Sequence, residues 1–66
     1  MAVELLRLPD VIRRVGYRRT TIYRMVKHGE FPPPVALGPW AVAWPSDEID
    51  RWIATRIAAS RKTVND

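Results

Sequence analysis

Three consecutive prolines, Pro32, Pro33 and Pro34, constrain the fold of this 66-residue chain more than any other feature. Proline lacks a backbone N–H and its ring clashes with the preceding helical turn, so a helix cannot run through them. Prolines in series adopt an extended and stiff conformation. We therefore expect a connector here, which begins at Phe31 and separates two halves with their own local elements.

The first apolar stripe predicts a short helix near the start of the chain. Its members recur at i, i+3, i+4 and i+7: Leu8, Val11, Ile12 and Val15. Pro9 suits the first helical position, because its missing N–H would have no intrahelical partner there. Gly16 is expected to end the helix in the left-handed conformation. Leu5 and Leu6, which precede the helix, are compatible with a short strand.

A second helix is predicted from about Arg19 to His28, with Gly29 as its cap. Its buried stripe consists of Ile22, Met25 and Val26. At about 100° per residue, the opposite face carries Thr20, Arg24 and Lys27, flanked by Tyr23 and His28. This face holds cationic and hydrogen-bonding groups and no carboxylate, whereas ordinary solvated helix faces mix acids with bases.

After the connector, the pattern predicts a β-hairpin. Residues 35–37 and 41–44 alternate as two short strands around the turn sequence Gly38-Pro39-Trp40. The side chains expected to face the core are Val35, Leu37, Val42 and Trp44.

A final helix is predicted after Pro45. Ser46 is a candidate N-cap, and Asp47 and Glu48 suit the first turn, where the helix dipole favours negative charge. The apolar stripe of this helix consists of Ile49, Trp52, Ile53 and Ile57. Arg61 and Lys62 come near its end, where the dipole favours cations. Trp44 and Trp52 are expected to be core anchors that join the hairpin to this helix.

Together these elements predict an α+β, mostly helical fold, a small winged helix-turn-helix with three helices and a β-hairpin wing. The length suits one domain over residues 1–66, with an ordered core of about residues 5–60. The sequence has no apolar run long enough for a transmembrane helix and no signal-peptide pattern, so we expect a cytoplasmic protein. The absence of cysteine excludes disulfides and thiolate metal sites.

The basic residues are concentrated in the first half of the chain. The net charge is +4; residues 1–29 hold seven basic and two acidic side chains, and residues 30–66 hold four and five. Between Val11 and Gly29 no acid interrupts six basic residues, Arg13, Arg14, Arg18, Arg19, Arg24 and Lys27. Such a patch concentrates positive potential where a polyanion would bind. Because a helix fits the major groove, the basic second helix predicts binding to double-stranded DNA.

Several short motifs lie within about residues 5–58. They are Leu6-Arg7-Leu8-Pro9-Asp10-Val11, Gly16, Thr21-Ile22-Tyr23-Arg24, Gly29-Glu30-Phe31-Pro32, and Ala41-Val42-Ala43-Trp44 followed by Ile49 and Trp52. Their combination resembles the AlpA-type phage regulators, which are MerR-like and excisionase-like winged helix-turn-helix proteins. The resemblance implies a regulator of a prophage or mobile element, acting as a transcriptional regulator, as an excisionase that directs an integrase, or as both.

By position, the resemblance implies a recognition helix and a wing tip. Thr20, Thr21, Tyr23, Arg24 and Lys27 fall on the helix, and residues 38–40 fall at the wing tip. Members commonly have Ser or Thr where Arg18 stands, which leaves the start of the helix open by a residue or two, with Thr20 as an alternative cap. Members also often have Arg or Lys where Trp40 stands. The full predicted DNA-binding set is Arg13, Arg14, Arg18, Arg19, Thr20, Thr21, Tyr23, Arg24, Lys27 and Trp40.

Alternatives stay open for two aromatic residues and for the assembly. Trp40 could contact DNA, contact a neighbouring protomer or fold back on its own hairpin. Tyr23 could contact a phosphate or the edge of the core. We expect cooperative or dimeric binding to DNA, because one small module covers little DNA surface.

Enzymatic activity, a metal site and a cofactor are not expected. The chain has two serines, one histidine and no cysteine, and nothing pairs a nucleophile with a base and an orienting group. His28 with Glu30 does not make a metal-ligand set. The competing hypothesis is a protein-interaction adaptor for a recombinase or another regulator, in which DNA binding is incidental.

Overall fold

The computed structural model describes residues 3–64, with side chains described for residues 3–61. The elements, in chain order, are β1 (Leu5–Leu6), α1 (Leu8–Val15), α2 (Arg19–Lys27), β2 (Val35–Gly38), β3 (Ala41–Pro45) and α3 (Ser46–Val64). This mostly helical α+β arrangement confirms the expected winged helix-turn-helix. The first two helices lie within one residue of their predicted bounds.

The three strands form one antiparallel sheet in the order β1-β3-β2. Leu6 of β1 pairs with Trp44 of the central strand β3, and Val35 of β2 pairs with Ala43 on its other side. The register shifts between Ala36 and Gly38, which makes a β-bulge at the end of the hairpin next to the turn. The predicted hairpin is confirmed, and the short strand β1 completes it as a sheet.

The start of α3 is tied to the residue before β1. Ser46 N–H donates to the Glu4 carbonyl at 2.7 Å, and Glu4 N–H donates to Ser46 Oγ at 2.9 Å. The Ser46 hydroxyl, predicted to cap α3, therefore accepts from the residue that precedes β1, and Ser46 is itself the first residue of the helix.

The core lies between the helices and one face of the sheet. Its buried cluster contains Leu6, Val11, Ile22, Met25, Phe31, Trp44 and Ile49. Trp44 is fully buried and confirms its predicted role as an anchor, whereas Trp52 is half-buried and packs against the outside of the cluster. The predicted stripes of α1 and α2, together with Ile49 of α3, therefore supply the helical side of the core.

The prediction that Val35 and Leu37 face the core is wrong. They are 40% and 48% exposed, and all four residues of β2 are exposed. Alternation separates the two faces of a strand but does not say which face the helices cover or whether the strand lies at an edge. Here β2 lies at one edge of the sheet and β1 at the other, and α1 and α3 pack on the central strand β3.

The last turns of α3 extend beyond the core. Ile57, predicted to be part of the buried stripe, is 46% exposed, because the packing of α3 against the cluster ends at Ile53. Over the described part of the chain, no helix has both the length and the apolar content needed to cross a membrane.

Candidate nucleic-acid interface

The turn between α1 and α2 depends on Gly16. Its φ is +80°, the left-handed region that glycine enters without steric cost, and its N–H donates to the Ile12 carbonyl at 2.8 Å. The chain becomes extended at Arg18, whose carbonyl accepts the first helical hydrogen bond of α2, from Ile22 N–H at 2.9 Å. Arg18 is thus the N-cap without a side-chain capping bond, and Thr20 lies inside the helix and is not the cap.

The other end of α2 turns sharply into the proline connector. His28 is the C-cap, and Gly29 follows with a φ of +75°. Gly29 N–H donates to the Val26 carbonyl at 3.1 Å and Glu30 N–H to the Met25 carbonyl at 2.8 Å, the bonding pattern of a Schellman motif. Gly29 therefore ends the helix as predicted.

The exposed face of α2 carries most of the predicted binding residues. Ile22 and Met25 are buried, with exposures of 0% and 7%, so the opposite side of the helix points to solvent. Exposed there are Arg18, Arg19, Thr20, Tyr23, Arg24 and Lys27, and Thr21 lies half-buried at the margin. Within residues 3–61 none of the four cations forms a salt bridge. We call these seven residues the α2 face; it presents unpaired positive charge beside hydroxyl groups.

Tyr23 contacts the edge of the core and stays partly exposed. Its side chain is 37% exposed, and its ring lies 6.2 Å from the ring of buried Trp44 at an interplanar angle of 57°. The ring thus packs on the edge of the core and is fixed in position relative to the hairpin.

Two of the predicted binding residues, on α1, have carboxylate partners. Arg13 pairs with Asp10 one turn earlier, and Arg14 Nη1 donates to Asp50 Oδ1 of α3 at 3.2 Å. The run between Val11 and Gly29 contains no acid, but the fold places carboxylates from outside it next to two of its arginines. The spacing of Asp10 and Arg13, three residues apart, could have revealed the first pair. Nothing local could have revealed the second, because its partners are 36 residues apart.

The wing brings one large aromatic side chain to its tip. Pro39 and Trp40 form the turn between β2 and β3, and Trp40 is 95% exposed. This exposure excludes the alternative in which Trp40 folds back on its own hairpin. Residues 35–45 contain no charged side chain, so the wing offers an aromatic surface in place of a cation.

Two indole N–H groups hold the proline connector against the rest of the fold. Trp44 Nε1 donates to the Pro32 carbonyl at 2.8 Å, and Trp52 Nε1 donates to the Glu30 carbonyl at 2.9 Å. Phe31 lies between them, 3% exposed, with its ring 4.8 Å from that of Trp52. These bonds fix the segment that joins α2 to the wing. Sequence reasoning missed them, although a buried indole N–H generally needs an acceptor.

A shallow groove of about 300 Å³ lies between the connector and α3, outside the α2 face. Its lining consists of Pro32, Glu48, Arg51, Trp52 and Thr55. None of the predicted binding residues contributes to it. Among the described residues, no three His, Cys, Asp or Glu side chains come together in a group that could hold a metal ion.

Residues 4–57 match the family model described as prophage CP4-57 regulatory protein (AlpA). The chain belongs to the AlpA family. It is 46% identical over 59 residues to the uncharacterized protein ORF88 of Enterobacteria phage P4, covering 89% of this chain and 67% of that protein. It is also 39% identical over 61 residues to the DNA-binding transcriptional activator AlpA of Escherichia coli (strain K12), covering 83% of this chain and 87% of that protein. No solved structure matches the chain.

The AlpA-family match extends over the whole candidate interface. It begins at Glu4, which pairs with the start of α3, and ends within the part of α3 that extends beyond the core. All ten predicted binding residues lie between these limits. The family match therefore covers the helix-turn-helix, the connector and the wing as one unit.

Proposed function

We propose that this AlpA-family protein binds double-stranded DNA in a sequence-specific manner and regulates transcription in a prophage or mobile element. The observation that carries the proposal is the α2 face, with four cations that are unpaired within residues 3–61 and no carboxylate. Ionised carboxylates on the same helix would cancel part of this positive charge, and α2 carries none. Phosphates are the natural counter-charge for it.

The side chains of the α2 face suit different kinds of contact with DNA. Arg24 is central on the exposed face, where a guanidinium can make two parallel hydrogen bonds to guanine O6 and N7. Lys27 lies one turn further along and suits a phosphate as a point charge. Arg18 and Arg19 stand at the start of α2, where helix N–H groups also favour an anion. Thr20 and Thr21 supply neutral hydrogen-bonding groups beside them.

Residues outside α2 have supporting roles in this proposal. Trp40 reaches the sugar–phosphate backbone next to the recognition site, since a hairpin wing flanks the groove that the helix enters. Arg13 and Arg14 contribute to phosphate binding only after exchanging their carboxylate partners for phosphates. Such an exchange costs little, because exposed ion pairs contribute about 0–1 kcal/mol.

Transcription is favoured over excision by the name of one relative, the DNA-binding transcriptional activator AlpA of Escherichia coli. Protection mapping on the DNA that flanks the gene for this chain distinguishes the two roles. Protected sites that overlap a promoter support transcriptional regulation. Protected sites beside an attachment site, with none at a promoter, would instead support a role in directing an integrase.

Binding to random duplex as a function of salt tests the DNA-binding proposal itself. Neutralising about four to six phosphates gives a slope of log K against log salt between roughly −3.5 and −5.5. The four unpaired cations of the α2 face favour the shallow end of this range, and Arg13 and Arg14 would steepen it. A slope near zero, or no binding at low salt, would contradict the proposal and favour a protein-interaction adaptor.

A further inference from the structure

The sheet has a second face, which the core does not use. Leu6 and Trp44 pair across β1 and β3 and both belong to the core cluster, so their side of the sheet faces the helices. Leu5 with Pro45, and Val35 with Ala43, occupy the alternate positions of the same ladders, so their side chains point to the other side. Ala43 of the central strand lies on this second side by its register, and it is fully buried there, so the exposed part of this side is formed by residues other than Ala43.

This second face is apolar and partly exposed. We call it the open sheet face and define it as Val3, Leu5, Val35, Leu37, Ala43 and Pro45. Seven large hydrophobic side chains are exposed among the described residues, and four of them belong to this face, with exposures of 57% for Val3, 51% for Leu5, 40% for Val35 and 48% for Leu37. Leu37 joins it through the bulge, where two residues of β2 oppose one of β3. Contiguous apolar surface of this kind marks an interaction site more often than isolated exposed residues do.

The chemistry of the open sheet face suits protein and not nucleic acid. It offers no cation for a phosphate and no hydrogen-bonding side chain for a base edge. The one charged side chain that alternation places next to it is Arg7, at the margin where β1 leads into α1. Elsewhere the chain carries a net charge of +4, so two copies repel one another least where this uncharged face is turned toward the neighbour.

The size of the face indicates when it would be occupied. Its four exposed large side chains are each about half exposed, which is far less than the roughly 20–30 residues and 800 Å² that each partner contributes to a standard interface. Such an area is too small to hold a free dimer together at ordinary concentrations. It becomes sufficient when DNA holds two molecules side by side, because the second contact then forms at an effective concentration in the millimolar range.

We propose that the open sheet face is the contact between two copies of this chain on neighbouring DNA sites. The inference rests on the proposed DNA-binding function and adds the partner surface. Because each copy offers the same patch, the contact is isologous and the two copies are related by a two-fold axis. The chain therefore binds cooperatively to inverted repeats and not to direct repeats, and it is monomeric without DNA.

A comparison of single and paired sites tests the contact. A site is first selected from randomised duplex, and its binding is then measured alone, as an inverted repeat and as a direct repeat at several spacings. For the native chain we expect at least tenfold cooperativity on one inverted repeat. The variant Val35→Thr/Leu37→Gln keeps the charge, and its substitutions are in exposed positions, so it retains single-site affinity within about twofold and loses the cooperativity. The matched control is Ile57→Gln, an exposed apolar residue on α3 outside the face, and it retains both.

Cross-linking provides a second readout that does not depend on affinity. The chain contains no cysteine, so a disulfide formed by Leu37→Cys can join only two copies. We expect covalent dimers of this variant on the inverted repeat. We expect no covalent dimers of it on single-site DNA, and none of Ile57→Cys on either DNA.

The outcomes separate this inference from the proposed function. Single-site binding without cooperativity, or cooperativity that the double variant retains, would overturn the inference and leave DNA binding intact. Cooperativity on direct repeats alone would overturn the two-fold arrangement. Failure of the native chain to select any site from randomised duplex would overturn both. A dimer that forms without DNA would overturn the argument from area.

Discussion

Arg14 of α1 donates a hydrogen bond to Asp50 of α3, with 3.2 Å between Nη1 and Oδ1. Both side chains are partly exposed, at 42% and 64%, so the pair contributes little to stability. Its larger effect is on charge, because it brings a carboxylate from the second half of the chain to the basic first half. The positive surface is thereby centred on α2 rather than spread over both helices.

Replacing Asp50 by asparagine is expected to strengthen binding to random duplex by roughly two- to fivefold at low salt, in line with about 0.2–1 kcal/mol for an exposed pair. The freed Arg14 should also steepen the salt slope by about 0.9, the value for one further phosphate. Fluorescence anisotropy at a series of salt concentrations measures both. Glu48→Gln is the matched control, since it removes the same charge from α3 and Glu48 forms no salt bridge within residues 3–61. Equal effects of the two variants would show that only net charge matters.

Arg24→Ala and Lys27→Ala should have different effects on specificity. Loss of a bidentate contact to guanine costs about 1–3 kcal/mol of discrimination at one base position, whereas loss of a phosphate contact weakens binding to all sequences alike. Competition with a site library randomised one position at a time measures the difference. If Arg24→Ala lowers binding to every sequence by the same factor, the base-reading role of Arg24 is wrong.

Trp44→Ala should unfold the protein, and Trp40→Ala should not. Removing a buried aromatic side chain costs about 3–5 kcal/mol, comparable with the whole stability of a small fold, and Trp44 is fully buried. The same substitution at Trp40, which is 95% exposed, should leave the melting temperature within a degree or two and reduce affinity for all duplexes. Thermal melts followed by circular dichroism test the pair. An equal loss of stability in both variants would contradict the assignment of the two indoles.

Trp52→Ala is expected to destabilise the fold by a smaller amount than Trp44→Ala. Trp52 is half-buried and loses its packing on Phe31 together with the hydrogen bond to the Glu30 carbonyl. The less drastic Trp52→Phe keeps an aromatic ring and removes the N–H of an exposed hydrogen bond, so it should cost about 0.5–1.5 kcal/mol. Urea denaturation of the three variants gives the ranking. A larger loss for Trp52→Ala than for Trp44→Ala would contradict it.

Gly16→Ala should destabilise the protein by about 1 kcal/mol or more through backbone conformation alone. An added Cβ would meet no atom within 4 Å, so only the positive φ opposes it. Gly38→Ala is the control, because its Cβ would also meet open space and its φ is not in the left-handed region. Denaturant titration should find Gly38→Ala neutral or slightly stabilising. Equal stability of the two variants would show that the positive φ of Gly16 does not oppose a side chain there.

The sequence alone was enough to predict the helices, the hairpin and the basic side of α2. The stripes of α1 and α2 repeat every three or four residues, the glycines at 16 and 29 end the helices, and the turn at 38–40 defines the hairpin. Each of these signals lies within a few residues, where covalent geometry and helical or strand periodicity fix which side chains share a face. For the same reason the basic side of α2 could be predicted without knowing what the helix packs against.

The tertiary structure decided those contacts and exposures that depend on residues far apart in the chain. Whether Arg14 is free or paired depends on Asp50, and whether Val35 and Leu37 are buried depends on which side of the sheet the helices cover. Periodicity does not contain this information, because it describes one element at a time. The indole bonds to the connector and the open sheet face arise in the same way, from the packing of the second half of the chain on the first. The basic side of α2 could therefore be predicted from local sequence, whereas the carboxylates that lie near it and the apolar face on the sheet depend on the fold.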